Sequence, residues 1–101
     1  MQAPQQMTHD IATLRTQLEA STSPNEIGNL ICLLKQISQE ETDSEELWIL
    51  LGHAYRKLQK WQDSLNCYAE ALRINPKSKA RVAYEQIIEI LDFFNKDLFN
   101  Q

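Results

Sequence analysis

At 101 residues, with 43% hydrophobic and 24% charged residues, the chain is long enough for one shared core and too apolar for wholesale disorder. Its net charge of −4, with ten Lys and Arg scattered rather than striped, counts against nucleic-acid binding. Two glycines and three prolines argue against a turn-rich β fold, and no apolar run reaches the ~18 residues of a membrane span.

Residues 1–7 are polar, lack the apolar stretch of a secretory signal, and read as a frayed tail. Thr8 is the expected cap of a first helix ending near Ala20, with Ile11, Leu14 and Leu18 on one face. Ser23, Pro24 and Glu26 then form a helix start: Ser23 as N-cap, Pro24 in the first turn, and Glu26 returning a hydrogen bond. Ile27, Leu30, Ile31, Leu34 and Ile37 give that second helix an apolar face.

The acidic run Glu40, Glu41, Asp43, Glu45 and Glu46 has two readings. It could hold a cation or a basic peptide; the preferred reading is that carboxylates favour the positive end of the next helix, with Asp43 and Glu46 as a capping box. A third helix is expected from about Ser44 to Leu58 and a fourth from Trp61 to Ile74, stopped by Asn75 and Pro76. A fifth runs from about Ser78 to Leu98. Short polar breaks between five helices predict an all-α fold of antiparallel hairpins.

Cys32 and Cys67 both fall within apolar helical pattern and are expected as reduced core residues in a cytoplasmic protein, without disulfide or metal. His9 carries no further signal, and no nucleophile–base or metal-ligand spacing is present. The expectation is therefore no enzyme, no cofactor and no metal.

The densest signal lies in residues 45–78, where Trp48, Leu51, Gly52 and Tyr55 are followed by Ser64, Tyr68, Ala71 and Pro76. Trp48, Leu51 and Tyr55 share one helix face, and Gly52 on that face lets a partner helix approach closely. Ser64 and Ala71 supply small residues from the facing helix, so large side chains fill the space beside them. This set resembles the tetratricopeptide repeat, with its period of about 34 residues and its W-x2-L-G-x2-Y…A-x3-F…P pattern. Ser64 stands for a small Ala and Tyr68 for Phe.

The resemblance implies a right-handed superhelix of stacked hairpins. One period earlier, Leu14, Leu18, Leu30, Leu34 and Ile37 take the signature places, so residues 8–44 resemble a degenerate repeat without the Gly and Pro. One period later, Ala83, Ile87 and Ile90 do so, and residues 79–98 resemble the extra helix that caps such arrays. The ending from Leu91 to Asn100 is similar to that of small bacterial members. Residues 8–101 would form a single domain.

In this family the first helices of successive repeats line a concave groove. Carried over, the ligand-facing positions are Glu46, Ile49, His53, Arg56 and Lys57, joined by Ala12, Arg15 and Glu19 from the degenerate repeat. Such a mixed surface implies a protein or peptide partner. The members that grip a chaperone's terminal carboxylate use Lys and Asn where Ile49 and His53 stand, so that clamp is not evident. His53 reads as a groove histidine without catalytic duty rather than a general base.

The fifth helix carries more apolar residues than one narrow stripe needs. Tyr84, Ile88, Leu91, Phe94 and Phe99 could be ordinary core, fold back into the groove, or pair with the same patch on a second copy as a homodimer. The leading expectation is a polypeptide-binding module, and the alternative a self-associating assembly protein.

Overall fold

A computed structural model describes residues 10–99, with side chains as far as Asn95. The proposals for residues 1–7, the Thr8 cap and His9 lie outside those residues. Five helices follow in order: α1 (Ile11–Ala20), α2 (Pro24–Glu40), α3 (Glu45–Lys57), α4 (Trp61–Ile74) and α5 (Ala80–Phe99). The fold is all-α among the described residues, and α2 to α5 each pack mainly against their neighbours in the chain, most extensively α3 against α4. In addition α1 touches α3, so the first helices of the two hairpins stand side by side. Among the described residues, no helix is long and apolar enough to cross a membrane.

Side-chain caps explain the starts of α1, α2, α3 and α5, with two corrections to the sequence reading, at α2 and α3. Asp10 caps α1 by accepting from the Ala12 N–H at 3.2 Å and from the Thr13 hydroxyl at 3.1 Å. At α2, Ser23 Oγ accepts from the Asn25 N–H at 3.2 Å, and the expected return bond from Glu26 is not among the hydrogen bonds of the described residues. At α3 the cap is Ser44, whose Oγ accepts from the Leu47 N–H at 3.3 Å. Asp43 stands one position too early to cap a helix that begins at Glu45, and Glu46 turns instead toward α1.

The α3–α4 turn is closed by Gln59, whose φ of 60° is the left-handed value that usually selects glycine. The Lys60 N–H donates to the Tyr55 carbonyl at 3.0 Å across it. Helix α4 stops before Pro76, and Asn75 Nδ2 donates to Glu45 Oε1 at 3.1 Å, tying the end of α4 to the start of α3. Ser78 Oγ then accepts from the Ala80 N–H at 3.0 Å to launch α5.

The core falls into two continuous clusters. Leu14 and Leu18 of α1 meet Ile27, Ile31, Leu34 and Ile37 of α2 and Leu47, Leu50, Leu51 and Ala54 of α3. Ile49, Tyr68, Ala71, Ala80 and Ile87 join α3, α4 and α5. Cys67 belongs to the first cluster, and burial with the nearby Asp63 charge pushes its thiol up to about 12, which keeps it protonated at neutral pH. Cys32, expected in the core, is exposed: Ile31 and Leu34 of its own helix point inward, and Cys32 lies on the opposite side.

Gly52 is a close-contact glycine, as its place in the pattern predicts. A Cβ built there would stand 2.5 Å from Tyr68 Cε1 and 2.7 Å from Cδ1. The fully buried Tyr68 ring fills the space that the missing side chain leaves, and Ser64 Oγ donates to the Gly52 carbonyl at 2.8 Å beside it. Gly28 in the first hairpin has nothing within 4 Å of such a Cβ, so no equivalent close approach exists there.

Candidate functional site

A cavity of about 390 Å³ opens between α1 and α3. Its floor is apolar, made by Leu18 and Leu50, both of which are also core residues. Its walls are polar: Arg15 and Glu19 come from α1, and His53, Arg56 and Lys57 from α3. Helical spacing explains the set. Arg15 and Glu19 are four residues apart on α1, while His53, Arg56 and Lys57 follow at i, i+3 and i+4 on α3.

The cavity thus gathers five of the residues expected from the repeat pattern: Arg15, Glu19, His53, Arg56 and Lys57. Glu46 lies at the rim, where its carboxylate meets the Arg15 guanidinium at 2.8 Å and Lys79 Nζ at 3.5 Å. Ala12 is exposed but does not line the cavity. Ile49 is a correction. It is 5% exposed and belongs to the buried cluster with Tyr68, Ala71, Ala80 and Ile87, so it is core between α3, α4 and α5 rather than open groove wall.

The C-terminal set divides. Tyr84 and Leu91 are partly buried against the second cluster, whereas Ile88 is 42% and Phe94 48% exposed. The Phe99 side chain lies outside the described residues. Phe93 and Val82, not singled out by the pattern, are more exposed still, at 67% and 63%.

Two features of the cavity were not read from the sequence. The first is Lys57, whose Nζ donates to the carbonyls of Leu18 at 2.6 Å and Ser21 at 2.8 Å. These groups sit at the C-terminal end of α1, where carbonyls lack helical partners and the helix dipole is negative. Lys57 therefore ties the second hairpin to the first as well as lining the groove. The second is His53, whose Nδ1 lies 2.6 Å from the Tyr68 hydroxyl. The phenol is the more acidic donor and the imidazole nitrogen the better acceptor, which assigns the remaining ring proton to Nε2. The aromatic signature position at Tyr68 was the available clue, since a hydroxyl buried there needs a partner.

The surroundings favour the neutral form of His53. Burial lowers its pKa below the usual 6.5, as do the charges of Arg56, Lys79 and Arg15, against a smaller opposite pull from Glu19. Burial raises the Tyr68 hydroxyl above its usual value, opposed by Ser64 and Arg56. Among the described residues, no three His, Cys, Asp or Glu side chains gather as a metal site.

The family model for the tetratricopeptide repeat matches residues 45–78. Among solved structures, the chain is similar to Bacteroides fragilis protein BF1650, known from solution NMR, at 34% identity and a TM-score of 0.73. That likeness covers 93% of this chain and 92% of the other. No curated protein matches the sequence. With the signature hairpin at α3–α4 and a relative alike over nearly the whole length, the chain belongs to the tetratricopeptide-repeat family, whose members generally serve as scaffolds for protein–protein interaction.

Proposed function

We propose that the chain is an adaptor that binds a polypeptide segment in the α1–α3 cavity. The observation that carries this reading is the cavity itself, with an apolar floor of Leu18 and Leu50 under the polar walls of Arg15, Glu19, His53 and Arg56. A few apolar anchors inside a polar rim suit a peptide, whose side chains need burial and whose backbone needs hydrogen-bond partners. The groove is short, formed by two first helices, so it suits a brief segment held with modest affinity.

The test is selection of binders from a displayed random-peptide library, comparing the native chain with the His53→Ala, Arg56→Ala double variant. Circular dichroism should show unchanged helicity, while selected peptides should bind the variant at least about tenfold more weakly. Equal binding to both proteins would move the site away from this groove.

Self-association through α5 is the second reading, favoured by the exposure of Ile88, Phe93 and Phe94. It would make the chain a structural or assembly protein with a two-fold interface.

A further inference from the structure

The groove carries a charge opposite to that of the chain. Arg15, Arg56, Lys57 and Lys79 bring four cations to the groove and its rim, against the carboxylates of Glu19 and Glu46. Two positive charges are left in excess there, on a chain whose net charge is −4. His53 at the centre feels this balance, since three of the four charges acting on it are those of Arg56, Lys79 and Arg15.

The hydrogen-bonding character points the same way. Guanidinium and ammonium groups only donate. His53 adds another donor, because Tyr68 occupies its Nδ1 and leaves the ring proton on Nε2. Glu46, one of the two carboxylates, is engaged by Arg15 and Lys79. With Lys57 turned to the carbonyls of α1 and Arg15 and Lys79 to Glu46, the groove offers a visitor the Arg56 guanidinium and the His53 ring, beside the Glu19 carboxylate and over an apolar floor.

We propose that the groove takes an acidic segment of a partner polypeptide, with a partner carboxylate seated against His53 Nε2–H and the Arg56 guanidinium. This rests on the peptide-binding reading above and adds the chemical class of the ligand. Charge complementarity selects the segment, and apolar side chains next to its carboxylates reach Leu18 and Leu50. A nucleic-acid strand suits the site less, because two excess charges neutralise few phosphates and no Phe, Tyr or Trp side chain lines the cavity to stack a base.

The experiment takes the groove-dependent peptides from the library selection and scores their content of Asp and Glu. It then measures fluorescence anisotropy of a labelled glutamate–leucine peptide, its lysine–leucine counterpart and a thymidine oligonucleotide, each on the native chain and on Arg56→Glu, Lys79→Glu. Selected peptides should be enriched in acids, and the glutamate peptide should bind roughly tenfold tighter than the lysine peptide at low salt. The charge reversal should abolish that preference while circular dichroism stays unchanged.

Groove-dependent binders without acidic enrichment would overturn the proposal and leave the peptide-binding reading standing. Absence of any groove-dependent peptide would overturn both. Preference for the oligonucleotide would assign the groove to another ligand class. Concentration-dependent self-association lost in the charge-reversal variant would assign it to a second copy, whose turn at Glu40, Glu41 and Asp43 is exposed and acidic.

Discussion

Gly52 shows how one missing side chain fixes a helix pair. In an exposed helix, replacing Gly by Ala stabilises by about 1 kcal/mol through propensity alone. Here the new Cβ would meet the Tyr68 ring at 2.5 Å, inside a core where that ring is fully buried. Gly52→Ala should therefore destabilise, by about 1–3 kcal/mol in urea unfolding. The penalty should shrink in a Tyr68→Ala background, and additive effects would show that the two residues do not compete for space. His53 supports a second prediction. Its folded pKa lies below 6.5, so the unfolded chain binds the proton more readily. The contribution is complete above 6.5 and is lost as the pH falls through the lowered folded value. His53→Gln should flatten the part of the stability–pH curve that begins to fall near 6.5. An unchanged curve would mean that the ring titrates alike in both states.

At the scale of elements, the helices were legible because their apolar residues recur at helical spacing and their ends carry Pro, Asn and Ser signals. The expected bounds of α4, Trp61 to Ile74, coincide with the observed helix. Capping partners were less legible. Adjacent candidates such as Asp43 and Ser44 differ by one position, and the choice depends on which residue begins the helix. The signature also located the α3 face that meets the groove, yet it placed Ile49 there. Which side of a helix is covered depends on the angle at which the next one arrives, and helix period alone does not contain that angle. Lys57 was named for ligand contact, whereas its bonds to α1 required knowing where that helix ends in space. Those bonds predict that Lys57→Met loosens the first helix locally, by about 0.5–1 kcal/mol. Hydrogen exchange should show faster amides in α1 with α3 and α4 unchanged. Uniform acceleration would show that the tie supports the whole fold rather than one element.

At the scale of the molecule, α5 covers the second hairpin: Ala80 and Ile87 are buried in the second core cluster, and Tyr84 and Leu91 pack against it. Phe93 and Phe94 stand outside that cover with their rings edge to face, 5.8 Å between centroids. If this patch joins two copies, sedimentation should show twice the chain mass, and Phe93→Glu, Phe94→Glu should return it to one. A native chain that sediments at single-chain mass over micromolar concentrations would remove the second reading. The rim of the groove bears on time as well as on strength. Arg15 and Lys79 share the single carboxylate of Glu46, and that rival stays tethered beside them at all times. Any carboxylate brought by a partner displaces a competitor of high effective concentration and is displaced by it in turn. Complexes made at this rim should accordingly be short-lived, and Glu46→Gln should lengthen their residence by slowing dissociation more than it speeds association.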